Sequence, residues 1–131
     1  MTFPADILGD PTLPRAQDFN ILVGDSFLFP VSLVTAAGAA IDLTGLTGTG
    51  EVRDDFGGTL LATFSVTHND EGGVVSIYLS PANAALIPWL GATPGCANSA
   101  PAGVFSIRLS DGTDARTIIS GKAWLVHGAI L

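Results

Sequence analysis

In Phe27-Leu28-Phe29-Pro30-Val31-Ser32-Leu33 every odd position is apolar. A period of two is satisfied by an extended strand with one face turned inward. Leu28 interrupts the otherwise polar even face, and Ile41 and Leu43 repeat the spacing before Thr44-Gly45 ends the segment. The same alternation returns at Val75, Ile77 and Leu79, interleaved with Ser76, Tyr78 and Ser80. Strands are predicted over residues 18–23, 27–34, 47–53, 60–67, 74–80, 104–109, 116–119 and 122–126. Asp54-Asp55-Phe56-Gly57-Gly58, Asn69-Asp70-Glu71-Gly72-Gly73 and Ser110-Asp111-Gly112-Thr113-Asp114 supply turns between them. Strands at roughly 8–12-residue spacing, divided by glycine-rich turns, signal an all-β sandwich or barrel.

One short helix interrupts the pattern. Ser80 can cap it, Pro81 suits its first turn, residues 82–87 are mostly helix formers, and Pro88 stops it. Residues 91–103 then read as a long exposed loop of small side chains. At the other end, Pro4, Pro11 and Pro14 argue against a helix in residues 1–17 and favour an extended path. That segment reads either as disordered or as an arm. Phe3, Ile7, Leu8 and Leu13 favour an arm lying on a neighbouring subunit, because large apolar side chains are costly to leave in water. The expected organisation is an N-terminal arm over 1–17 and one domain over 18–131.

With 131 residues, the chain can bury a core without disulfides or a structural metal. Only 13% of the residues are charged, about half the usual share, which points to a surface partly covered by partners. The net charge of −7 and five scattered basic residues argue against a nucleic-acid partner and against docking on anionic lipid. No apolar run approaches a membrane span, and the start of the chain lacks the pattern of a signal peptide. Cys96 is the sole cysteine, so no internal disulfide is expected.

Candidate chemistry is sparse. Gly24-Asp25-Ser26 after an apolar strand resembles the nucleophile block of the GDSL hydrolases. The alternating, proline-containing run after Ser26 argues against the helix that block requires, and His68-Asn69-Asp70 lacks the glycine of a Gly-x-Asn-Asp block. Trp124 stands where the aspartate of a terminal Asp-x-x-His pair is expected, three residues before His127. The chain therefore reads as no enzyme, with no catalytic, cofactor or metal site. The acids beside glycine read as turn formers rather than calcium ligands. Trp124 reads as a strand residue in or near the core. Trp89 reads as packing, or as an aromatic that fills a partner's pocket or stacks on a sugar.

Five segments taken in order carry a resemblance. They are Gly24-Asp25-Ser26-Phe27, Ile41-Asp42-Leu43-Thr44-Gly45, Leu79-Ser80 with residues 82–86, Leu109-Ser110-Asp111-Gly112-Thr113, and Ser120-Gly121-Lys122-Ala123. Together they resemble small phage virion proteins with an immunoglobulin-like antiparallel β-sandwich, a family that includes N-terminal modules of some baseplate proteins. The long loop and the N-terminal arm depart from that pattern. The resemblance implies a virion structural protein whose partners are other virion proteins, and a homo-oligomer. A capsid cement protein bound to the major capsid protein is the first expectation, a tail or baseplate adaptor the second, and a carbohydrate- or receptor-binding module the third. Expected partner contacts are Phe3, Ile7, Leu8, Leu13, Trp89, Ile130 and Leu131.

Overall fold

A computed structural model describes residues 4–22, 24–55, 57–87 and 99–126, with backbone alone for 99–101. The described chain is all-β, with two single-turn helices. In order the elements are α1 (Ala5–Leu8), β1 (Arg15–Ala16), β2 (Phe19–Leu22), β3 (Phe27–Ser32), β4 (Thr47–Arg53), β5 (Leu60–Asn69), β6 (Val74–Leu79), α2 (Pro81–Ala84), β7 (Ser99–Ser110) and β8 (Ala115–Val126). They form one continuous sheet in the order β1-β8-β7-β4-β5-β6-β3, with β2 also paired to β8. The β1 and β2 pairings to β8 are parallel and the others antiparallel.

The long strand β5 sets the shape. Leu60 and residues 62–64 pair with β4, whereas residues 65–69 pair with β6. A strand that changes partners midway turns the sheet through a corner. The two ends of the sheet consequently approach each other. Phe19 of β2 lies 4.8 Å from Phe27 and 5.0 Å from Phe29 of β3, and stacks on Phe105 of β7 at 3.9 Å between ring centroids. Phe64 meets the Phe19 ring edge-on at 5.8 Å. Offset and edge-on pairs of this kind contribute about 0.5–1.5 kcal/mol each beyond their buried area. Arg15 spans the remaining seam, donating from Nη2 to the Ser32 carbonyl at 3.3 Å.

Alternation sorts the side chains as the sequence pattern requires. Val31, Leu33, Ile41, Leu43, Val75, Ile77 and Leu79 are buried, and Phe27 and Phe29 pack half-buried against them. Tight packing explains the glycines of β4: a Cβ on Gly50 would come within 2.5 Å of Ile107 Cδ1, so a side chain there would collide with the core. At α2 the Ser80 hydroxyl accepts a hydrogen bond from the Asn83 amide at 3.1 Å, as the capping signal anticipates.

Three expectations need correction. Residues 4–17 are not a detached extended arm. Residues Ala5–Leu8 form a helical turn after Pro4, Ile7 and Leu13 enter the chain's own core, and Arg15–Ala16 pairs with β8. Arg116 ties the segment down, donating to the carbonyls of Leu8, Asp10 and Leu13 at 3.4, 2.7 and 2.8 Å. Proline at the position preceding a helix leaves the following turn free to form, so Pro4 does not exclude it. Second, residues 99–103 belong to β7 rather than to a loop. A register shift between Pro101 and Gly103 lets the strand continue past a residue that lacks an amide hydrogen. Third, residues 116–119 and 122–126 are parts of one strand, β8, which continues through Ser120-Gly121 while pairing with β7.

Candidate functional site

The curled sheet presents two outward faces, each readable row by row from the strand register. On the β3–β6–β5 side one row is Leu28–Tyr78–Ser65 and the next is Pro30–Ser76–Thr67. Neither row holds a charged side chain. Leu28 is 64% exposed and Tyr78 is 38% exposed, so the residue that broke the polar alternation of β3 stands open to solvent beside an aromatic ring. At the end of this face Ser26 Oγ lies 3.5 Å from the Tyr78 hydroxyl.

The β4–β7–β8 side differs. Its rows are Arg53–Val104–Lys122, then Thr63–Glu51–Ser106–Ser120, then Thr49–Arg108–Thr117. An open cleft of about 450 Å³ lies along it, lined by residues that include Thr49, Glu51, Thr63, Ser106 and Arg108. A second cleft of about 280 Å³ adjoins it at Glu51 and Ser106 and reaches Arg53, Asp55 and Val104. Arg53 grips Glu51 at both oxygens, at 3.0 and 3.1 Å, and donates to the Gly58 carbonyl at 2.8 Å. The Glu51 hydrogen bond holds the Arg53 guanidinium above its ordinary pKa. The side chains of Arg108 and Lys122, by contrast, have no ion pair or hydrogen bond among the described residues.

Turn acids have structural tasks. Asp42 accepts from the Thr44 hydroxyl and amide at 2.7 and 2.9 Å, and Asp10 does the same with Thr12 at 2.6 and 2.8 Å. These bonds, the hydroxyl's first, hold both carboxyls below the usual aspartate range. Asp111 is lowered by the amides of Asp114 and Thr113. Asp54 accepts from the Thr59 amide at 2.8 Å, and Asn69 from that of Gly72 at 2.8 Å. The bonds of Asp10, Asp42 and Asp111 to the amide two residues on are Asx-turn chemistry, and those of Asp54 and Asn69 close longer turns.

Ser26 has no basic partner among the described residues. His68 is held elsewhere: its Nε2 lies 2.7 Å from the Leu46 carbonyl and its Nδ1 lies 2.5 Å from Asp70 Oδ1. A carbonyl only accepts, so Nε2 donates to it and the ring ties the segment after Leu43 to β5. Of the expected partner contacts, Ile7 and Leu13 face inward, whereas Leu8 is 42% exposed. Phe3, Trp89, Ile130 and Leu131 lie outside the described residues, as do Cys96 and His127. Trp124 is half-buried on the outward register of β8. The sequence marked Leu28 as a break in the polar alternation and offered Tyr78, with Trp89 and the acidic turns, as a carbohydrate- or receptor-binding site. It did not join Leu28 to Tyr78 and did not single out the cationic rows. The interruption at Leu28 was the available signal for the first, while the second exists only once the register is known.

No family profile matches the chain, and no curated protein matches it. Among solved structures it is distantly similar to a ZIG-8–RIG-5 IG1–IG1 heterodimer, with a TM-score of 0.44 at 10% identity, covering 86% of this chain and 84% of that one.

Proposed function

We propose that this chain is a non-enzymatic structural subunit of a phage particle, with an immunoglobulin-like sandwich as its scaffold. The strand order supports the sandwich. A parallel β2–β8 pair leads into antiparallel β8, β7 and β4 on one side, β3 and β6 pair on the other, and β5 passes between the two. Phe19 stacks on Phe105 of one side and packs against Phe27 of the other, across the interior rather than along one sheet.

The observation that carries the functional reading is the charge-free outward face centred on Leu28 and Tyr78. A large exposed apolar side chain beside an aromatic, flanked by serine, threonine and proline, suits a permanent contact better than a catalytic task. Apolar contacts of this kind need no charge partner, so the subunit can be added to a preformed surface by shape alone. Repetition on a symmetric particle turns weak single contacts into stable binding.

Among virion roles, we favour a capsid cement protein over a tail or baseplate adaptor. The test is to locate tagged copies on purified particles. Copies at lattice density support cement, and a few copies at one vertex support a tail adaptor. Absence from the particle sinks the structural reading. Leu28→Asp should abolish incorporation without unfolding the chain.

A further inference from the structure

Charge is segregated by secondary structure. All five basic residues lie in strands, namely Arg15, Arg53, Arg108, Arg116 and Lys122. Of twelve acidic residues only Glu51 lies in a strand, and Arg53 already neutralises it. The β4–β7–β8 face thus carries Arg53, Arg108 and Lys122 against Glu51 and Asp55, a net positive patch on a chain of net charge −7. The side chains of Arg108 and Lys122 have no partner among the described residues. At the hairpin tips Asp54 and Asp111 accept from their own turn amides, while the exposed Asp114 carboxylate at the β7–β8 tip has no partner among the described residues. Glu71 is exposed at the tip of the β5–β6 hairpin and has no partner among the described residues, although Asp70 beside it meets His68.

We propose that copies of this chain associate head to tail, the cationic face of one receiving the Asp70-Glu71 turn of the next. The inference deepens the structural reading above and rests on it. The occupant follows from charge complementarity: Arg108 offers a guanidinium fork to a carboxylate beside the cleft formed with Thr49, Thr63 and Ser106. The chain's own turn cannot serve. β5 is extended from Thr63, beside the cleft, to Asn69 before the turn, a path of roughly 20 Å. Surface and ligand are different patches on one molecule, so the contact is heterologous and generates a ring or an open chain of subunits rather than a two-fold dimer.

The physics gives this association a distinctive salt dependence. Two copies each carrying −7 repel at a distance, and at about 0.01 M salt the screening length of roughly 30 Å leaves that repulsion in force. At about 0.15 M the length falls to roughly 8 Å, so the like net charges fade while the contacting pairs persist. At about 1 M the pairs are screened too. Sedimentation of the full chain should therefore show association strongest at intermediate salt and weaker on both sides.

Arg108→Glu with Lys122→Glu should lower the association constant about tenfold or more, and Glu71→Arg should do likewise. Circular dichroism should show both variants folded. Mixing the two should restore association, because the acidic turn of the first meets the intact cationic face of the second. Association that only strengthens with salt would assign the contact to the Leu28 face and overturn the proposal. So would variants that associate like the parent, a mixture that stays monomeric, or a parent that never associates. Particle localisation is read separately. If tagged copies decorate particles while the salt optimum is missing, the structural reading stands without this contact; the reverse result removes the phage role and keeps the contact.

Discussion

The two outward faces of this sheet are built on the same core yet offer opposite chemistry. Around Leu28 and Tyr78 the rows are apolar or hydroxylated and uncharged. Around Arg108 they carry Arg53, Glu51 and Lys122. The first face can bury area against a partner with little desolvation penalty, while the second must find opposite charge before it can be covered. The difference teaches that a chain poor in charge can still use charge selectively, by placing its few cations together on one side.

The largest effect should come from removing what the faces share. Phe19 touches rings from β3, β5 and β7, so Phe19→Ala should cost about 3–5 kcal/mol in urea unfolding. A loss below about 1 kcal/mol would mean that the sheet ends do not close on this ring. Arg116 and Arg108 form the next contrast. Arg116 serves three backbone carbonyls of the N-terminal segment, and Arg116→Ala should cost about 2–3 kcal/mol. Arg108→Ala, with no such partner, should leave stability within about 0.5 kcal/mol. Equal losses at the two positions would erase the distinction between a structural and a free guanidinium.

Leu28→Asp should likewise shift stability by no more than about 0.5 kcal/mol while removing particle incorporation. A variant that unfolds would place Leu28 in the core after all. The smallest effect concerns acid. Because Asp10, Asp42 and Asp111 have folded pKa values below their unfolded ones, their stabilisation is fully present above the unfolded value, about pH 4. It is lost as pH falls through the lowered folded values. Urea midpoints should stay level from about pH 7 to 5 and decline below about pH 4, and Asp42→Asn should soften that decline.

Much of the fold was legible in the chain. The alternation of Phe27 to Leu33 identified β3 and its inward side, the turn acids marked the hairpins, and Ser80-Pro81 marked α2. The fate of the N-terminal residues was not. Ile7 and Leu13 carry no period, and their burial depends on Arg116, more than a hundred positions away. Continuity of β8 through Ser120-Gly121 was equally hidden. A Cβ at Gly121 would strike the Gln17 carbonyl, a contact that exists only after β1 has paired.

The amino-acid order by itself determined which side of β3 and β6 turns inward, because a period of two leaves a strand no other way to bury its apolar residues. It also placed all five cations on strands and, apart from Glu51, the acids off them. Tertiary structure decided which strands became neighbours, and hence that Arg53, Arg108 and Lys122 share a face while Leu28 meets Tyr78. Alternation acts along one strand, whereas pairing is a long-range choice set by how the whole core packs.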